Sequence, residues 1–116
     1  MPFRTRYLFS AAMDVEPSKE ALFHEVYNTE HVPMILGVPG VVSAARFKVG
    51  ELTLLIGGER KTIEFKDAPR FHALYEVESP EVLVSQPWAA AVERGRWPTE
   101  VRPFTKNRRH FLYERI

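Results

Sequence analysis

Four stretches of this chain, some alternating apolar and polar residues with a period of two and some apolar on both faces, each predict a β-strand. Residues 3–13 set Thr5, Tyr7, Phe9 and Ala11 against Arg4, Arg6, Leu8 and Ser10. Val41 to Val49 is apolar on both faces, through Val41, Val42, Ala44, Ala45 and Phe47. Arg70 to Glu78 sets Phe71, Ala73, Tyr75 and Val77 against His72, Leu74 and Glu76. Arg109 to Ile116 sets Phe111 and Tyr113 against Leu112 and Ile116. Residues 51–67 read as a hairpin-like extension, with Leu52–Ile56, the turn signal Gly57-Gly58 and an alternating run from Lys61 to Phe65.

Between the strands the period changes to that of a helix. Glu16-Pro17 opens the first, because proline loses nothing at a first helical position. Leu22, Phe23, Val26 and Tyr27 form its apolar stripe as far as about Thr29, and a further turn or a second short helix runs from His31 through Leu36 until Gly37 and Pro39-Gly40 end it. The second helix is expected over residues 79–95, with Ser79 as cap, Pro80 in first position and a stripe of Leu83, Val84, Trp88, Ala91 and Val92. Pro87 should kink or restart it, with Ser85 as a fresh cap. Gly95 closes it, and Arg96-Trp97-Pro98 opens a loop.

The order strand, helix, strand, strand, helix, strand predicts an α+β, ferredoxin-like βαββαβ protomer: an antiparallel sheet with both helices on one face. The other face is left bare, and a second copy across a two-fold axis is the simplest cover for its apolar residues. A homodimer is therefore expected from strand patterning.

The chain has 116 residues, which predicts a single domain, residues 1–116, with a radius of gyration near 13 Å. The absence of cysteine excludes disulfides, thiolate metal sites and cysteine nucleophiles. A net charge of +1 argues against nucleic acid as a partner, and Lys106-Asn107-Arg108-Arg109-His110 reads as a solvated strand entrance. No apolar run is long enough to span a membrane. The short run Tyr7-Leu8-Phe9 lacks the core of a secretory signal, so the cytoplasm is the expected location.

The run from Phe23 to Val41, with Tyr27-x-x-x-His31-x-Pro33 followed by Val38-Pro39-Gly40-Val41, resembles the dimeric α/β-barrel superfamily and in particular its EthD-like members. Tyr75-Glu76-Val77-Glu78-Ser79-Pro80-Glu81, with Trp88 and Gly95, continues the likeness, which covers roughly residues 5–49 and 70–116. The resemblance implies two protomers paired into a barrel of eight strands, with a pocket between each sheet and its helices. Relatives of this kind include polyketide cyclases, lactone isomerases and haem-degrading monooxygenases. Gln86-Pro87-Trp88-Ala89 stands where a cyclase-like relative would carry a histidine.

His31 is the first candidate for chemistry. It lies four residues after Tyr27, at the margin of the core-facing arc, and an unperturbed imidazole exchanges protons near neutral pH. Tyr27 offers a phenol to a carbonyl or enolate oxygen, and His72 is the alternative donor. Glu30 is a weak orienting partner for His31. His24, seven residues from His31, gives too few ligands for zinc, and no metal site is expected. Arg46 is the natural ion-pair partner of Glu76. Tyr7, Phe9, Arg46, Phe47, Tyr75, Trp88 and Trp97 are the expected substrate-binding residues, with Trp97 gating the mouth. Aromatic residues at these spacings also serve as plain core. His110 reads as exposed.

Nucleotide-binding and nucleophile-elbow motifs are absent, so no cofactor is indicated. The expected function is a small cofactor-independent enzyme that isomerises, cyclises or dehydrates a hydrophobic carbonyl compound by acid–base catalysis. The alternatives are a non-catalytic small-molecule-binding or stress-response module, and a haem- or dioxygen-dependent monooxygenase-like protein.

Overall fold

A computed structural model describes residues 2–116. Strands β1 (Tyr7–Val15), β2 (Val41–Lys48), β5 (Phe71–Val77) and β6 (Thr105–Glu114) form one antiparallel sheet in the order β2-β5-β1-β6. Strands β3 (Leu52–Ile56) and β4 (Glu59–Ile63) make a separate hairpin. Helices α1 (Glu20–Val26), α2 (Val32–Leu36) and α3 (Gln86–Ala91) complete the ferredoxin-like α+β arrangement.

Strand register explains which face is buried. Residues opposite one another in an antiparallel pair point the same way. Phe9 faces Tyr75 and Ala11 faces Ala73, and these four join Phe23, Val26, Tyr27 and Ile35 of the helical layer in one core. The opposite face carries Leu8, Ser10 and Ala12 of β1, Leu74 and Glu76 of β5, Phe47 of β2, and Phe111 and Tyr113 of β6. At its centre Ser10 and Ala12 are too small to reach past their neighbours and are almost wholly covered, whereas Phe47, Phe111 and Tyr113 stay about half exposed. The molecule is thus two layers thick, 19 Å along its shortest axis.

Several expectations change. The first strand begins at Tyr7, because Arg4 and Thr5 donate their backbone N–H groups to the Glu76 carboxylate instead of to a ladder. The last strand begins at Thr105, four residues earlier than the alternation suggested. The radius of gyration is 15.8 Å, above the expected value, since the β3–β4 hairpin stands off from the two-layer body. The first helix is segmented. Pro17–Lys19 is a 3₁₀ turn, α1 follows, and a wide π-type turn spans Tyr27–His31 before α2. Ser79 makes no capping bond, and Pro80–Val84 is 3₁₀. The restart at Ser85 does occur: its Oγ accepts the Trp88 N–H at 3.3 Å as α3 begins.

Gly40 closes the crossing from helix to β2. Its φ is +93°, its carbonyl accepts the Glu78 N–H at 2.8 Å, and a Cβ there would collide with Val82 Cγ2. Gly50, by contrast, has open space around its Cα. Gly40→Ala should therefore destabilise the fold by about 2–4 kcal/mol, combining left-handed strain with overpacking. Gly50→Ala should stay within about 0.5 kcal/mol of the parent. Urea unfolding midpoints of the two variants check both values.

Candidate functional site

Two wide helical turns of the same design meet above the sheet. In the first, the Val32 N–H reaches back to the Tyr27 carbonyl. In the second, Trp97–Val101, the Arg102 N–H reaches back to the Trp97 carbonyl. Each turn begins at a large aromatic residue and is followed, six residues after it, by a proline, Pro33 and Pro103 respectively. A proline cannot donate to the carbonyl four residues before it, which favours widening of the turn just upstream. Single π-type turns of this kind recur at functional sites.

The turns bring three rings together. The His31 imidazole stacks on the Trp97 indole at 4.3 Å between centroids and 20° between planes. Tyr27 meets His31 edge-on at 5.1 Å and Trp97 edge-on at 4.9 Å. Beneath them lies a chamber of about 200 Å³. Its floor is the β-sheet side of Phe9, Ala11, Met13 and Tyr75, its helical wall comes from Ile35, Trp88 and Val92, and its rim carries Arg102, Arg108 and His110. Phe9 stacks with Tyr75 at 5.9 Å and takes the edge of Trp88 at 5.7 Å.

Among the described residues, two polar atoms in this apolar setting have no hydrogen-bond partner, His31 Nδ1 and Tyr75 Oη. Buried polar groups are nearly always satisfied, and an orphan costs about 1–3 kcal/mol. His31 is only 6% exposed. Burial first, then the Arg102 charge and the Arg46 charge, lower its pKa to about 4. The imidazole is therefore neutral at pH 7 and serves as a hydrogen-bond acceptor or weak base. Burial also raises the Tyr27 pKa, and burial followed by the neighbouring Tyr27 phenol raises that of Tyr75 well above the ordinary value. Both phenols remain protonated donors across the physiological range.

The predicted residues separate into two groups. His31, Tyr27, Phe9, Tyr75, Trp88 and Trp97 line the chamber. Trp97 is a buried wall rather than a gate, 5% exposed and held against His31. Tyr7, Arg46, Phe47 and His72 do not line it. Tyr7 donates its hydroxyl to Glu114 at 3.0 Å. Phe47 and His72 face the bare side of the sheet, where His72 Nε2 lies 3.0 Å from the Pro69 carbonyl. Arg46 is on the helical side but outside the chamber. It covers the Tyr27 ring at 4.3 Å, donates to Asn28 Oδ1 at 2.7 Å and lies 3.0 Å from His24 Nδ1.

The expected Arg46–Glu76 ion pair does not form, because the two side chains project from opposite faces. Glu76 instead accepts from Ser43 Oγ at 2.6 Å and from backbone N–H groups of Arg4 and Thr5, which hold its pKa down. Glu30 does not orient His31 either. It accepts from the Arg96 backbone at 2.9 Å and from Arg96 Nε at 2.6 Å, tying the first wide turn to the start of the second. Among the described residues no group of three or more potential ligands is placed to hold a metal ion. Sequence reasoning missed Arg102 and Arg108 and gave His110 little weight; no local pattern marks them, since their approach to the chamber depends on strand register.

No protein-family model and no curated protein matches the chain. Solved structures do. A haem-degrading protein, MhuD from Mycobacterium tuberculosis with two haems in its active site, has a TM-score of 0.60 at 12% identity over 95% of each chain. A variant of MhuD with two manganese protoporphyrin IX molecules per active site has a TM-score of 0.55 at 15% identity, over 95% of this chain and 94% of that one. An ethyl tert-butyl ether degradation (EthD) family protein from Bacillus halodurans has a TM-score of 0.58 at 10% identity, over 95% of this chain and 99% of that one.

The neutral imidazole has a measurable consequence for stability. Between pH 6.5 and about 4 the unfolded chain binds a proton at His31 that the folded chain refuses, so stability falls as pH falls through this window. The His31 contribution reaches about 3 kcal/mol at its acid end. Replacing the imidazole in His31→Leu should flatten the acid limb by that amount, read as the difference between the two proteins' unfolding free energies from pH 7 to pH 4. The chain has the ferredoxin-like α+β fold that the EthD-family and haem-degrading structures share.

Proposed function

We propose that the protein is a cofactor-independent enzyme that moves a proton on a small, largely apolar carbonyl compound held in the chamber beneath His31. The supporting observation is the pair of unpartnered buried polar atoms, His31 Nδ1 and Tyr75 Oη, on residues that line one apolar cavity. A ligand carbonyl would accept from the Tyr75 phenol, and a C–H or O–H group beside it would meet the neutral imidazole. The ring takes the proton as the phenol stabilises the developing enolate oxygen, and returns it to a different atom of the product. Isomerisation, cyclisation and dehydration all use this sequence. Tyr27 supports it by fixing the edge of the imidazole.

The EthD-family neighbour is compatible with this reading through fold alone. The haem-degrading neighbours raise a second one. A neutral imidazole is a fitting iron ligand, but the chamber of about 200 Å³ lies below the range of about 300–1,000 Å³ that accommodates drug-sized ligands. Trp97 also occupies one face of the His31 ring. The residues present do not fit a porphyrin, and a small substrate suits them better.

We also infer that the working unit is a homodimer paired through the bare sheet face, which the half-exposed Phe47, Phe111 and Tyr113 support. In sedimentation at micromolar concentration the protein should run as a dimer, and Phe111→Glu should shift it toward the monomer; a parent that sediments as a monomer rejects the pairing.

The chemistry is tested by proton–deuterium exchange and isomerisation of a panel of small enolisable ketones and lactones, followed by NMR. His31→Ala should lower the rate on any active compound by about 10²–10⁴-fold, and Tyr75→Phe by about 10²–10³-fold. Because protonation of His31 removes the acceptor, the parent's rate should hold from neutral pH down to about 5 and be lost near pH 4. A folded His31→Ala protein with full turnover would end the proposal.

A further inference from the structure

Among the described residues, one positive charge at the rim of the chamber, that of Arg108, has no carboxylate paired with it. Among the described residues, Arg102 is paired: its guanidinium bonds Glu93 Oε2 at 3.0 Å and the Val92 carbonyl at 2.8 Å. Arg108 makes no salt bridge. Its Nε and Nη2 donate to Thr105 Oγ1 at 2.9 and 2.6 Å, and Nη2 also donates to the Arg102 carbonyl at 2.8 Å. Its acceptors are all neutral, and Nη1 is left without one. The fork is thus held in place by groups that leave its charge intact.

It shares the face of His110 by ordinary alternation, and an irregularity in β6 supplies the group that holds it. Thr105 pairs with Val15 and Lys106 with Asp14, but Arg109 pairs with Ala12, so Asn107 and Arg108 together oppose the single residue Met13. Asn107 takes the strain with φ of 52° and is fastened by its Nδ2 to Asp14 Oδ2 at 3.0 Å and the Asp67 carbonyl at 2.9 Å. In a regular strand, residues 105 and 108 would point to opposite faces, because the side-chain period is two. The bulge brings Thr105 to the chamber side that Arg108 shares with His110, where its Oγ1 accepts from the Arg108 fork. Bulges that re-aim a side chain are frequent beside active sites. A solvated strand entrance needs no such device.

We propose that Arg108 is a specificity-determining residue that binds a carboxylate of the ligand, so that the chamber takes small molecules with an apolar body and one terminal carboxylate. This rests on the reading of the chamber as the substrate site. The apolar body would lie along Phe9 and Trp88, and the carboxylate would take the free Nη1 of Arg108 at the mouth. Among the described residues no Asp or Glu lines the chamber to oppose an anion.

Both tryptophans of the chain line the chamber, so intrinsic fluorescence reports its occupancy. The probes are phenylacetate and phenylacetamide, nearly identical in shape and different in charge. Phenylacetate should bind about tenfold more tightly, as one charge-assisted hydrogen bond supplies, and the preference should shrink with added salt. Arg108→Gln should abolish the preference and leave the amide's affinity unchanged, which also reports an intact chamber. Arg108→Lys should retain part of it. Equal affinity for acid and amide in the parent, or a preference that survives in Arg108→Gln, overturns the carboxylate assignment and leaves the chamber as a binding site. Failure of both probes to bind at millimolar concentration overturns the assignment and the chamber reading together, and binding of the amide without the acid overturns the assignment alone.

Discussion

The stacking of His31 on Trp97 is the contact on which the candidate site depends. It joins two wide helical turns from distant parts of the chain, and Glu30 reinforces the same junction by accepting from the Arg96 backbone and side chain. The stack removes water from the imidazole and so keeps it uncharged. It also places the imidazole over a sheet surface whose other polar atom, the Tyr75 hydroxyl, is equally unpartnered. Folding has left two orphan groups in one apolar chamber, and the cost of leaving them so is a reason to look for a ligand that satisfies both.

The sheet divides the molecule's tasks between its faces. The helical side holds the core and the chamber. The other side buries small residues at its centre and exposes aromatic ones near its edges, a surface suited to contact with another protein. Glu76 belongs to that side and is satisfied locally by Ser43 and the N-terminal backbone. Arg46 belongs to the other and spends its charge on the Tyr27 ring, Asn28 and His24. The sheet itself lies between the two side chains, which is why charges that look complementary along the chain never meet.

Much of the fold was legible in the chain because its periods are local. Phe71, Ala73, Tyr75 and Val77 announce one face of β5, and Ser85-Gln86-Pro87 announces the restart of a helix. The Tyr27–His31 spacing identified half of the candidate site for the same reason, since residues four apart on a helical turn share a side. The widening of that turn was harder to read. It depends on what Pro33 withholds from the backbone before it, and a proline at that distance reads equally well as the start of a new helix.

The amino-acid sequence by itself determined the order of elements, the face that each central strand buries and the pairing of Tyr27 with His31, all matters of spacing within a few residues. The tertiary structure alone decided that Trp97 covers His31, that Tyr75 supplies the second orphan atom, and that Thr105 holds Arg108 beside the chamber. The first two join residues dozens of positions apart, and the third depends on strand register. A one-residue bulge at Asn107 brings Thr105 to the side on which Arg108 and His110 emerge, and its register depends on the partner strand, which no alternation within β6 discloses.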